Sequence, residues 1–267
     1  EKPASYIGGE PYQIIKEDGS FRTRLAFCFP DTYEIGMSWN GLPILYNLVN
    51  KTNHTYMERV FAPGKDMEEL MRKAGLPLYT LETKTPVIDA DIVGFTLQYE
   101  MSYTNILNML DLAGIPLRSS DRDENYPIIA AGGPCAFNTE PLADFFDAVM
   151  IGDGEELLPA FCKTVGRCKQ ARLDRHHTLI ELSKLQGVYI PSFYRPMYSS
   201  GGKFAGYEKT EPSAPDRVLR AFLSDLDNAE YPTCNIVPLV EVVHDRAVCE
   251  LFRGCTRGCR FCQAGMI

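Results

Sequence analysis

Five short apolar runs, all but the fourth followed by a stretch of helical character, constrain the fold of this chain more than any other feature. They lie at 24–29 (RLAFCF), 56–61 (YMERVF), 90–97 (ADIVGFTL), 128–131 (IIAA) and 146–151 (FDAVMI). Runs of this length, rich in β-branched and aromatic residues and bounded by turn signals, read as buried strands. The segments between them read as helices, over about 39–50, 66–74, 102–113 and from GDGEE to about 168. Gly75 and Gly114 stand where the second and third should stop, as helix-ending glycines do. The third carries apolar Ile106, Leu107, Met109, Leu110 and Leu112. Strands alternating with helices at this rhythm predict βαβ units and an α/β fold: a doubly wound, mainly parallel, Rossmann-like sheet.

The remaining segments follow other patterns. Residues 1–23 look like a lead-in with a short hairpin, 12–16 pairing with the chain from Phe21 across Asp18-Gly19. Beyond 168 a short helix (178–185) and short strands (188–194, 203–208, 217–223) are expected, with EPSAP at 211–215 as an exposed loop. Two runs, 241–244 and 247–252, are expected to pair as strands and deliver the last loop. The domains are therefore 1–170, a short α+β connector over 171–240, and 241–267 as the start of a further domain. With 45% hydrophobic and 23% charged residues the composition is that of a globular protein. No run of eighteen apolar residues is present, and the start EKPASYIGGEPYQ reads as neither a signal nor a transit peptide. A net charge of −8 does not indicate nucleic acid as a partner. Nine scattered cysteines fit reduced thiols, and hence a cytoplasmic location, better than a disulfide framework.

Residues 253–267, RGCTRGCRFCQAGMI, bring Cys255, Cys259 and Cys262 together at C-x3-C-x2-C spacing in a glycine-rich, basic loop. Three thiolates on a four-iron cluster leave one iron without a protein ligand, and an open metal position is what a catalytic site keeps. A zinc site that recruits His244 or Cys249 as fourth ligand is the competing reading, and would make the chain a non-catalytic binding or interaction module. Zinc knuckles, however, usually bring two ligand pairs rather than x3-then-x2 in one loop.

The spacing, the preceding apolar run and Phe261 before the last cysteine resemble the cluster loop of the radical S-adenosylmethionine (SAM) enzymes. That resemblance implies a [4Fe-4S] cluster on Cys255, Cys259 and Cys262, with SAM chelated by the open iron and cleaved reductively to a 5′-deoxyadenosyl radical. It also implies an electron donor such as flavodoxin or ferredoxin, and a barrel that follows the motif. The loops after the strands resemble a cobalamin-binding domain, whose signature is D-x-H-x-x-G, a Ser/Thr strand end and a Gly-Gly pair. Asp31, Gly36, Thr96, Gly132 and Gly133 match it, while Tyr33 replaces the histidine. By that resemblance these residues flank a cobalamin tail, which needs close backbone approach and hence glycine. Cobalamin-assisted methyl transfer or rearrangement is the implied reaction. A phenol, with a pKa near 10, is a poor cobalt ligand, so base-off cobalamin is expected. From YIGGE through FCFPDTYEIGMS, AAGGPCAFN and HDR to the cysteine motif, the chain is similar to one uncharacterised bacterial family of B12-binding-domain/radical SAM proteins.

Other residues carry blander expectations. Gln98, Tyr99, Glu100, Met101 and Tyr103 follow the third strand and are candidates to line its pocket. Cys28, Cys135, Cys162, Cys168 and Cys234 read as small buried residues. His176 and His177 read as solvated or capping groups, Asp153, Glu155 and Glu156 as an acidic helix start favoured by the dipole. Arg253, Arg257 and Arg260 are expected around the cysteine loop.

Overall fold

The computed structural model describes residues 2–244, 246 and 248–267. Strands β1 (Thr23–Phe29), β2 (Thr55–Phe61), β3 (Ile92–Thr96), β4 (Ile128–Gly132), β5 (Ala148–Met150) and β6 (Val188–Tyr189) form one sheet in the order β2-β1-β3-β4-β5-β6. The first five are parallel, and β6 closes the edge antiparallel to β5. The expected doubly wound sheet is therefore present. Its sixth strand comes from beyond residue 170.

Helices α2 (Gly41–Asn50), α3 (Lys65–Ala74), α4 (Tyr103–Leu112), α5 (Gly154–Gln170) and α6 (Arg175–Ser183) make the outer layers, and a single turn, α1 (Tyr33–Gly36), follows β1. Period-two alternation along β1 sorts the two cores. Leu25, Phe27 and Phe29 pack with Leu42 and Tyr46 of α2 and Phe161 and Val165 of α5. Ala26 and Cys28 face the opposite layer, with Met71 of α3 and Ile106 and Met109 of α4. Gly75 ends α3 in the left-handed region at φ 65°, where a residue without Cβ is unstrained.

Elsewhere the expectations need correction. The lead-in makes no hairpin: Ile14 instead gives its N–H to the Tyr46 hydroxyl, and Lys16 reaches the carbonyls of Thr52 and Thr55. Over 217–223 the chain forms only a single parallel bridge, Gly152 to Ala221, because β6 already occupies the sheet edge. The strand pair at 241–244 and 247–252 is absent among the described residues, and Ala247 lies outside them. Val243, Val248, Leu251 and Phe252 are exposed, so these runs have no apolar face buried that would hold them as strands. The connector does contain a hairpin, β7 (Tyr194–Tyr198) with β8 (Phe204–Lys209). No helix among the described residues is long and apolar enough to cross a membrane.

A buried ionic cluster fastens the lead-in to the sheet. Arg59 of β2, fully buried, donates to both carboxylate oxygens of Glu10 at 2.9 Å and to Glu82 at 2.7 Å. Burial works to raise both carboxyls; the guanidinium outweighs it at Glu10, which ends below its usual range, while Glu82 stays raised. Removing one partner of such a cluster leaves an uncompensated buried charge. Arg59→Met is therefore expected to lower stability in urea unfolding by about 3–5 kcal/mol. Arg195→Met, which breaks the exposed Arg195–Glu208 pair, should cost less than about 1 kcal/mol. Equal effects of the two would contradict this account.

Candidate functional site

The chain leaves β1 for β2 on one side and returns to β3 on the other, so the connections after β1 and β3 diverge. In open parallel sheets this divergence opens a crevice outside the carboxyl ends of the strands, where ligands bind. A cavity of about 270 Å³ lies there. Phe29, Pro30 and Asp31 come from the end of β1, Ile35, Ser38 and Trp39 from the turn after it, and Gln98, Tyr99 and Ser102 from the end of β3. Val243 and His244 of the connector form the remaining wall. Trp39 is fixed by its rings' neighbours, parallel to Phe27 at 6.2 Å and tilted against Phe29 at 5.8 Å. The connector is held by backbone groups: His244 donates its N–H to Ser38 Oγ at 3.1 Å, and Val243 to the Glu34 carbonyl at 3.4 Å.

The residues expected around a cobalamin tail are only partly brought together. Asp31 lines the crevice. Tyr33 does not: it is buried against Phe61 and donates its hydroxyl to Glu10 at 2.9 Å. Burial, with the Glu10 carboxylate beside it, pushes that phenol up, so it stays protonated. At Gly36 a Cβ would collide with the Phe61 ring, so this glycine serves the packing of α1 on β2. Thr96 is buried and its Oγ1 accepts from Gln98 Nε2 at 2.5 Å. Gly132 pairs with Thr96 in register and accepts the Leu97 N–H at 2.7 Å. Gly133, at φ 105°, is so close to β3 that a Cβ would lie 2.9 Å from the Leu97 carbonyl oxygen. The glycine pair therefore closes on the strand end rather than opening a slot beside it. A 270 Å³ crevice is also smaller than the roughly 300–1,000 Å³ of ordinary small-molecule pockets, and a corrinoid is larger than such ligands. As placed, these residues do not fit cobalamin.

Cys255, Cys259 and Cys262 are free and exposed, as are Cys234 and Cys249, whereas Cys28, Cys135, Cys162 and Cys168 are buried. Cys234 thus departs from the expected burial. No group of three or more His, Cys, Asp or Glu converges as a metal site among the described residues. That holds for the cluster ligands and equally for zinc with His244 or Cys249. In donor chemistry the three thiols fit an iron–sulfur cluster, and a thiolate site rarely closes before its metal binds. The loop is anchored at its entry. Arg253 reaches Glu155 at 2.5 Å and Asp153 at 3.3 Å, at the start of α5, and Glu250 at 2.8 Å. Asp153 also accepts the Leu223 N–H at 2.8 Å. The acidic helix start therefore gathers both connector and cysteine loop at the carboxyl edge of the sheet. His177, as expected, belongs to a helix cap: Asp174 accepts its N–H at 2.8 Å.

Among the candidates after β3, Gln98 and Tyr99 line the crevice, joined by Ser102. The sequence pattern does not point to Trp39 or Val243 there, and it points to His244 only as a zinc ligand. Trp39 carried a signal, being the one tryptophan in the chain and close after the first strand. The contact of Val243 and His244 with a turn some two hundred residues earlier left none.

Comparison with known proteins adds the family. An uncharacterized protein of Methanocaldococcus jannaschii, MJ0966, is 25% identical over 248 residues, covering 91% of this chain. Two solved structures of the radical SAM methyltransferase TsrM from Kitasatospora setae are similar at 11% identity. One, with cobalamin and a [4Fe-4S] cluster bound, has a TM-score of 0.40 over 82% of this chain and 32% of its own. The other, with tryptophan substrate and the SAM analog aza-SAM, has a TM-score of 0.38 over 72% and 31%. Likeness at that level carries no argument about this chain. The chain spans 41% of the length of the curated relative. Residues 41–191 match the family of radical SAM proteins, N-terminal, and the chain belongs to that family.

Proposed function

We propose that this chain is the N-terminal part of a radical SAM enzyme, in which Cys255, Cys259 and Cys262 hold a [4Fe-4S] cluster beside the carboxyl edge of the α/β sheet. The observation that carries this reading is the set of ion pairs from Arg253 to Asp153 and Glu155. In a chain of this family, they tie the C-x3-C-x2-C loop to the edge where the crevice opens. Such a cluster, when bound, supplies an open iron for SAM and the electron for its reductive cleavage. The chain's own residues do the rest. The three exposed thiols are its ligands, and Arg257 and Arg260 add positive charge to the same loop. Cys135 is a poor competitor, since burial pushes its thiol up and keeps it protonated. The crevice between β1 and β3 receives the reacting molecule or part of it. A donor of the flavodoxin or ferredoxin type and a cytoplasmic location accompany this proposal.

Cobalamin-assisted methyl transfer or rearrangement is left out of it, because Gly133 closes on Leu97 and Tyr33 is turned to Glu10.

Two measurements check the proposal. Anaerobic reconstitution of the protein from its full open reading frame should give about four irons per chain and 5′-deoxyadenosine from SAM. Alanine at Cys255, Cys259 and Cys262 should abolish both, and zinc without sulfide would favour the binding-module reading instead. Hydroxocobalamin should separate from the protein on gel filtration. Stoichiometric retention of its visible absorbance would show that the β3–β4 edge opens, and would bring the corrinoid back.

A further inference from the structure

The crevice between β1 and β3 has a hydrogen-bonding capacity that narrows what it takes. Most of its polar groups are already used. Ser38 Oγ donates to the Glu34 carbonyl at 2.7 Å and accepts from His244, while Ser102 Oγ donates to the Tyr99 carbonyl at 2.8 Å. Gln98 spends an amide N–H on Thr96, and Asp31 Oδ1 accepts the Thr32 N–H at 2.8 Å. Among groups that only accept, two are left over without a partner among the described residues, the carbonyl Oε1 of Gln98 and the charged Oδ2 of Asp31; the Tyr99 hydroxyl, which can donate or accept, is likewise without one. On the donor side, Arg246 Nη2 lies 3.0 Å from His244 Nδ1. A guanidinium only donates, so Nδ1 accepts and the proton sits on Nε2. The Trp39 indole N–H is also without a partner among the described residues. The walls are flat and apolar, from Trp39, Tyr99, Phe29, Ile35 and Val243.

We infer that this crevice binds an amino-bearing nitrogen heteroaromatic ring of the adenine or cytosine type, held by Asp31 and Gln98 between aromatic walls. The exocyclic amino group supplies the N–H donors that the two acceptors need, and the ring nitrogens meet the His244 and Trp39 N–H groups. A bicyclic ring suits a cavity of 270 Å³. Among the described residues no lysine or arginine lines the crevice, and Asp31 is the one charged carboxylate in its lining. The ring therefore arrives on an uncharged nucleoside rather than on a phosphorylated one or on a nucleic-acid strand. This inference does not depend on the cluster assignment.

Trp39 is the only tryptophan in the 267 residues, so its fluorescence reports on this crevice in the chain as it stands. Adenosine should quench it saturably. Inosine, which turns a carbonyl toward the same two acceptors, should bind at least about tenfold more weakly, since a site built for N–H donors is left with unpaired polar groups. Adenosine 5′-monophosphate should also bind more weakly than adenosine. Asp31→Asn and Gln98→Leu, each with an unchanged circular dichroism spectrum, should weaken adenosine by a similar factor. Absent quenching, equal affinity for adenosine and inosine, or full affinity in both variants would overturn the assignment. Tighter binding of the monophosphate would overturn the choice of an uncharged nucleoside. Preference for 5,6-dimethylbenzimidazole over adenosine would transfer the crevice to a corrinoid tail.

Discussion

The parallel pairing of β1 with both β2 and β3 is the constraint on which the rest depends. The chain crosses from β1 outward to β2 and then back past β1 to β3, and right-handed crossovers in opposite directions place the two helices on opposite faces. That is the arrangement found, with α2 and α5 over one face and α3 and α4 over the other. The connections diverge at the carboxyl ends of β1 and β3, and the crevice exists because of that divergence. The crevice, the acidic start of α5 and the anchor of the cysteine loop lie on this one edge.

That edge has separate ways of holding the chain. Arg59 with Glu10 and Glu82 binds the lead-in to β2 from inside the core, where desolvation makes the geometry exacting. Arg253 with Asp153, Glu155 and Glu250 binds the cysteine loop from outside, where solvent screens the charges and the contact is weaker. The first fixes a fold. The second leaves a loop free to rearrange when three thiolates close around a metal centre. This division explains why the sheet is complete while the cysteines remain exposed.

Much of the fold was legible because its strands are buried on both faces and two of its helices, α3 and α4, stop at glycines. The runs at 24–29, 56–61 and 128–131 coincide with β1, β2 and β4 within a residue, since the apolar character stops where the strand does. The runs at 217–223, 241–244 and 247–252 have similar composition and were misread. Strand pattern records what a face can bury, not whether a partner strand lies alongside, and among the described residues these runs pair with no strand of the sheet. The site was legible in outline. Asp31, Gln98 and Tyr99 follow from the rule for parallel sheets. Tyr33, Gly36 and Gly133 matched a pattern by position, but their roles depend on what stands opposite: Glu10, Phe61 and Leu97. No local signal encodes those partners, nor the return of Val243 and His244 across the crevice.

The central claim is that Cys255, Cys259 and Cys262 form a cluster with an iron open to SAM. Electron paramagnetic resonance of the reduced, reconstituted protein, recorded without and with SAM, tests it most directly. The account predicts a [4Fe-4S]⁺ signal whose g-values shift when SAM is added, because a new ligand enters the open iron. A cluster signal that SAM leaves unchanged, or one that survives alanine at all three cysteines, would contradict it.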